Sequence, residues 1–326
     1  MINMKNVLKI FMILLMSCVM ISCSNNQEIK EHEDVNATLI CPDGLPSIAI
    51  SKAMNDNKKI SYMNIEYSIQ KTTDLLLSEL MKGEAELAIV PSNLALQAYK
   101  KGLDYKIAAT IGWGSLYLVS TDDITDISEL KGCEIYNTGK GLTPDIVFRN
   151  ILTNKGFKES DFEFSYVGAA SELTPMVMSG KVKYAVLPEP ALSTVMDKNK
   201  DIKIILNLNE EWAKINNLSK GYPQSTLIIK EEFYNSIKDT GLYEEIINTF
   251  NESEEWVKNN PQDAAEKCEV LGITINKDTI DKAINNSNLN FTKIEECTLE
   301  YEKYFSVIDT ENKGEGGEYD SIFIKE

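Results

Sequence analysis

From Ala37 onward, short apolar runs of strand length alternate with longer amphipathic runs of helix length, and the whole pattern occurs twice. The first set predicts a strand over Thr38 to Cys41, a helix over Pro46 to Asn55 and a strand over Met63 to Ser68. A helix over Thr73 to Lys82 and a strand over Leu87 to Val90 complete it. The helix assignment rests on period: Leu76, Leu80 and Met81 share a face, and Gly83 supplies a stop. Alternation of this kind builds an α/β unit in which helices cover a largely parallel sheet. After Leu118 to Ser120 the pattern restarts, with strands over Glu134 to Asn137, Phe162 to Val167 and Tyr184 to Leu187, and helices over Thr143 to Asn154 and Glu172 to Ser179. Thr226 to Ile229 reads as one more strand. Beyond it the sequence predicts only helices, over Glu232 to Ile237, Tyr243 to Lys258, Pro261 to Leu271, Asp278 to Asn285 and Ile294 to Phe305.

Roughly 290 folded residues exceed a single core, so two domains are expected. The simplest accounting makes one lobe of the first and last segments, 37–117 and 227–308, with a second lobe, 118–226, inserted between them. The crossings fall near Ser115 to Thr121 and Gln224 to Ile229. The expected fold class is therefore α/β and two-lobed, with two mixed sheets flanked by helices and a helical C-terminal part. Residues 309–326 carry Gly314, Gly316 and Gly317 among acids and read as an irregular extension on the surface.

The start of the chain reads as charge, then grease, then cysteine. Lys5 and Lys9 accompany an apolar run from Val7 to Ile21, closed by Ser22 and Cys23. The run is shorter than the roughly 20 residues that a spanning helix needs, and its flanks are those of an export signal. Met20-Ile21-Ser22-Cys23 resembles a bacterial lipobox, which implies removal of 1–22 and lipidation of Cys23. Leu15-Met16-Ser17-Cys18 also fits that pattern, but the residues after Cys18 are still apolar, so Cys23 is preferred. Residues 23–36 then form a polar tether that includes His32, the one histidine of the chain. Lipid on Cys23 would hold the protein on the outer face of the cytoplasmic membrane, because two or more acyl chains anchor stably.

The formal net charge is −17, and no basic cluster exists to face phosphates, which argues against a nucleic-acid partner. Four further cysteines, Cys41, Cys133, Cys268 and Cys297, contain no CxxC pair and have one histidine for company, so no metal site is expected. Cys268 and Cys297 lie in helical segments that could meet, and sequence does not fix a pairing.

Several segments, in this order and spacing, resemble the type II periplasmic binding proteins of the nitrate, sulfonate, taurine and thiamine-precursor group. They are Asp43-Gly44-Leu45-Pro46-Ser47, Gly83 to Asn93 (GEAELAIVPSN), Ile127 to Gly132 (ISELKG), Gly139 to Asp145 (GKGLTPD), and Ser179 to Val182 leading to Leu187-Pro188-Glu189-Pro190. The resemblance implies two α/β lobes on two strand-like hinges, which close on a small molecule and present it to the permease and ATPase of an ABC importer. It also implies a monomer without cofactors. A sensory or adhesive lipoprotein would have the same lobes, and enzymes of pyrimidine and menaquinone pathways share the architecture. Against catalysis, the folded body has no histidine and no Ser-His or Cys-His pair.

In open α/β sheets ligands bind beyond the carboxyl ends of strands, where helix N-termini offer unpaired N–H groups. Those ends supply the candidate ligand residues. Leu45, Pro46 and Ser47 follow the first strand and are either a contact or a mere turn. Thr72 and Thr73 offer one helix cap and one hydroxyl. Ser92 and Asn93 place a hydroxyl and an amide in an uncharged loop, and Trp113 either stacks on ligand or plugs the interior. In the second lobe Gly139, Gly141 and Thr143 form an anion-friendly loop with Thr143 as cap, and Gly168 precedes a helix expected to be capped by Ser171. Glu189 could accept from a ligand, bridge the lobes or begin a helix. Only Lys140 and Lys71 are cations near these loops, and the single arginine, Arg149, lies inside a helix. A doubly charged anion would want an arginine fork, so a neutral, aromatic or weakly anionic ligand is expected.

Overall fold

The computed structural model describes residues 33–274, 276–309 and 319–325. The expected signal segment, the lipidation site Cys23, His32 and most of the tether lie outside them. The chain opens with β1 (Val35–Pro42), then the short helices α1 (Leu45–Ala49) and α2 (Ser51–Asp56), β2 (Lys59–Ile60), β3 (Met63–Gln70), α3 (Thr73–Lys82), β4 (Leu87–Pro91), α4 (Ser92–Lys100) and β5 (Tyr105–Trp113). Next come β6 (Leu116–Ser120), β7 (Glu134–Thr138), α5 (Thr143–Asn154), β8 (Glu163–Val167), α6 (Ala170–Met178), β9 (Tyr184–Pro188), α7 (Ala191–Lys198), β10 (Lys203–Asn207) and α8 (Leu208–Asn216). The return runs through β11 (Pro223–Lys230), α9 (Glu231–Ile237), α10 (Leu242–Asn259), α11 (Pro261–Val270), α12 (Ile280–Asn285), β12 (Leu289–Lys293) and α13 (Thr298–Ile308).

Two sheets result, ordered β12-β5-β11-β4-β1-β3-β2 and β10-β6-β9-β7-β8. β1 runs parallel to β3 from Val35 beside Met63 to Pro42 beside Gln70, and parallel to β4. β11 returns antiparallel between β4 and β5, which makes the first sheet mixed. In the second, β7 is parallel to β8 and β9, while β6 is antiparallel to β9 and β10. Strand alternation sorts β6 cleanly: Leu116 and Leu118 join the large apolar core, while Tyr117 and Val119 join a separate cluster on the other face of the second sheet.

The structure corrects several expectations. A strand, β12, follows β11 and pairs with β5, so the C-terminal part is not wholly helical. Strand β1 already includes Val35 and Asn36, which the tether was expected to hold. The chain enters the second sheet at Leu116 and re-enters the first at Pro223, so the crossings are Gly114 to Ser115 and the stretch between α8 and β11. The expected surface extension instead buries Tyr319, Ile322, Phe323 and Ile324; Phe323 bridges to Ile107 of β5 and the Ile324 N–H donates to the Ile107 carbonyl at 3.1 Å. Cys41, Cys133, Cys268 and Cys297 are all free thiols.

Candidate functional site

A cavity of about 220 Å³ lies where the carboxyl ends of the parallel strands from both sheets meet. Its first-lobe wall is Pro46, Pro91, Asn93, Gln224 and Ser225, and its second-lobe wall is Leu116, Thr143, Pro144 and Pro188. Local sequence explains why. Pro91 ends β4 and Pro188 ends β9, since a residue without an N–H terminates a ladder. Pro46 and Pro144 sit in the first turns of α1 and α5, where the missing N–H costs nothing. A neighbouring cavity of about 230 Å³ shares Asn93 and Thr143 and adds Gln97, Lys100, Gly141 and Asp309; there Lys100 and Asp309 form an ion pair at 2.5 Å.

The lobes are tied across this junction. The Thr143 hydroxyl, expected to cap α5, instead hydrogen-bonds the Tyr304 hydroxyl at 2.9 Å, and Leu142 takes the cap position without a side-chain bond. Tyr304 is fully buried, stacked on Tyr222 with ring centres 5.8 Å apart, and both rings meet Trp212 edge-on. On the other flank Glu189 is 4% exposed and accepts from Ser193 N–H at 3.2 Å, Ser193 Oγ at 2.9 Å and, across the lobes, Asn286 Nδ2 at 3.1 Å. Burial pushes its carboxyl up to about 7, and these hydrogen bonds only partly oppose the shift.

Of the expected ligand residues, Pro46, Asn93, Gly141 and Thr143 line the paired cavities. The others have different occupations. Leu45 and Ser47 are buried, and Ser47 Oγ donates to the Gly44 carbonyl at 2.9 Å. Thr72 and Thr73 are exposed; Thr72 caps α3, accepting from Leu75 N–H at 3.2 Å. Ser92 is 1% exposed and belongs to a buried hydroxyl chain, bonded to Thr226 at 2.5 Å, which bonds Tyr301 at 2.7 Å, which accepts from Thr110 at 3.0 Å. Trp113 is a buried plug whose indole N–H donates to the Asn290 carbonyl at 2.9 Å. Gly139 has a left-handed φ of 61° and Leu142 folds over it, so any Cβ there would meet Leu142 Cδ1 at 2.6 Å. Gly168 is exposed, and its N–H donates to Glu172, which leaves Ala169 rather than Ser171 at the cap of α6.

The cations are also placed. Lys71 pairs with Asp43 at 2.9 Å, and Lys140 lies over the Tyr166 ring. Arg149 is held by Asp145 and Glu159, each at 2.6 Å. Sequence reasoning missed Gln224, Ser225 and Leu116, which open the two crossing strands and carry no motif. It also missed the lining role of Pro91, Pro144 and Pro188, although a proline at each strand end was a readable signal.

No protein-family model matches the chain, and no curated protein matches it by sequence. Solved structures do resemble it. A crystal structure of an ABC transporter from Parabacteroides distasonis is 22% identical, covers 89% of this chain and 95% of its own, and superposes with a TM-score of 0.71. The periplasmic aliphatic sulphonate-binding protein SsuA of Escherichia coli is 13% identical over 86% of this chain and 95% of its own, with a TM-score of 0.68. The periplasmic nitrate-binding protein NrtA of Synechocystis is 14% identical over 78% of this chain and 69% of its own, with a TM-score of 0.52. The chain therefore has the two-lobed periplasmic-binding-protein fold.

Proposed function

We propose that this chain is an exported solute-binding protein, anchored by lipid on Cys23, that captures a small molecule between its lobes and passes it to the permease of an ABC importer. The observation that carries the reading is the cavity at the strand ends, walled by both lobes and bridged by the hydrogen bond from Thr143 to Tyr304. Two lobes that share one small cavity form a clamp, because a ligand touching both walls stabilises the closed arrangement. Among the described residues lining it there is no His, Cys, Lys, Asp or Glu, which supports holding a molecule over transforming it. Similarity of fold to proteins described as importer components supports the same reading.

A thermal-shift screen of vitamins, pyrimidines, amino acids, sulfonates and oxyanions tests it. A ligand at a hundred times its Kd adds about 2.7 kcal/mol to stability, and the expected rise in Tm is about 5 °C. Thr143→Val keeps the shape but removes the cross-cleft hydrogen bond, and is expected to weaken that ligand about fivefold, with the fold intact. A folded protein whose Tm answers to no solute would remove the reading. For the anchor, Cys23→Ala is expected to move the protein from the membrane fraction to the soluble one; retention in the membrane would count against lipidation.

A further inference from the structure

We infer that the guest of this cavity is an uncharged solute the size of one substituted ring, bound by apolar walls and read through a polar group by the Asn93 amide. The inference rests on the solute-binding reading above and narrows it to a chemical class.

Size comes first. A cavity of about 150 Å³ admits benzene, so the cavity of about 220 Å³ here holds a six-membered ring with a small substituent. Its walls are mostly apolar, with Pro46, Pro91, Pro144, Pro188 and Leu116 supplying more than half of the lining residues. Flat proline rings offer contact area without any donor.

Charge comes second. No ammonium or guanidinium lines the cavity among the described residues, and helix N-termini, the usual substitute, are blunted here. At α1, α4 and α5 a proline stands at the cap or in the first turn, and each removes one N–H from the set that would face an anion. In the loop before α5 the Gly141 N–H is already given to Asp145 Oδ2 at 2.8 Å. The residue after Pro188 is the buried Glu189, which adds carboxyl character rather than offsetting it. Burying a sulfonate or carboxylate against such walls leaves its charge uncompensated.

The polar handle is the third observation. Asn93 stands in the first turn of α4, is half-buried and lines both cavities, so its amide can donate to or accept from a guest. Ser225 also contributes to the wall, but its hydroxyl is itself sealed from the cavity. The adjacent Gln224 is already committed, accepting from Ser115 N–H at 2.9 Å and donating to Ser115 Oγ at 3.1 Å.

The test is a matched series of single-ring compounds, titrated by calorimetry and thermal shift against the whole protein at neutral pH. Benzamide, nicotinamide and benzyl alcohol are the uncharged members; benzoate and benzenesulfonate are the anions. At least one uncharged member is expected to bind, with each anion at least tenfold weaker. Asn93→Ala is expected to weaken the preferred compound about five- to tenfold, while the unliganded protein melts within about 2 °C of the parent, since the lost amide is only half-buried. Anions that bind as tightly as their uncharged partners would overturn the assignment of class and leave the clamp standing. Unchanged affinity in Asn93→Ala would overturn the handle. If no member of either set binds, this assignment falls, and the broader solute screen then decides the clamp separately.

Discussion

Gly114→Ala is expected to lower Tm by about 5–6 °C and to weaken any cleft ligand at least about fivefold. Gly114 lies on the first crossing, and its N–H donates to the Tyr222 carbonyl on the second at 3.0 Å. A Cβ at this position would sit 2.2 Å from Tyr222 Cζ, 2.3 Å from Tyr222 Cε1 and 2.6 Å from Asn209 Oδ1. The tyrosine has nowhere to retreat, because it is fully buried between Tyr304 and Trp212. Overpacking of this kind costs about 3 kcal/mol, which in a chain of this size gives the stated shift. The functional loss follows from the neighbour: Tyr304 stacks on the displaced ring and holds Thr143 across the cleft. Gly112→Ala is the control. Its Cβ would make ordinary contacts at 3.6 Å with Leu289 and 3.8 Å with Ser225, so its melting curve by circular dichroism should lie within about 2 °C of the parent. Equal melting of the two variants would refute the account of the hinge.

Glu254→Gln is expected to stabilise the protein by about 2–3 kcal/mol at pH 8 and to remove about half of the pH dependence of stability between pH 5 and 8. Glu254 is fully buried in α10; one carboxyl oxygen accepts from Phe291 N–H at 2.6 Å and lies 3.8 Å from Lys258 Nζ, and the other has no hydrogen-bond partner. Burial pushes its carboxyl up to about 8, as it pushes Glu189 up to about 7. The sign follows from proton counting. In the unfolded chain both groups ionise near pH 4.3, so from there to about pH 8 the folded protein holds more protons, and stability falls as pH rises. Below pH 4 the slope reverses. Asp56, hydrogen-bonded by Lys267 and Lys52, is held below the usual carboxylate range, so its contribution is lost as acid protonates it. Greatest stability is therefore expected near pH 5. Glutamine preserves the acceptor for Phe291 and removes the buried charge. Denaturant melts at pH 5 and pH 8 measure the effect, and parallel curves for parent and variant would show that Glu254 carries no such penalty.

Much of the fold was legible because local signals agreed. Helix α3 begins and ends where the sequence says, since the Thr72 cap, the Leu76 and Leu80 spacing and the left-handed Gly83 all point to one answer. The element order of both βαβ halves follows from the same agreement. What was not legible is non-local. β12 has only a five-residue run, LNFTK, and becomes a strand because β5, far earlier in the chain, offers an open edge. The placement of β11 between β4 and β5 likewise depends on pairing rather than on composition. Asn93 and Thr143 line the cavity because they follow strand ends, a positional rule that holds for any sheet of this type. Ser92 obeys the same rule and yet turns inward, because Thr226 on a distant strand supplies a hydroxyl for it. Gln224 and Ser225 obey no such rule, as they stand at the start of a strand that reverses direction.

The bond from Thr143 to Tyr304 also sets an order of completion. Tyr304 belongs to α13, the last long helix, while every strand of both sheets precedes it in the chain. Synthesis must therefore have passed Tyr304 before this tie can form. A copy truncated ahead of that helix would keep all twelve described strands and the bond from Asn286 to Glu189, but would lose this second tie between the lobes.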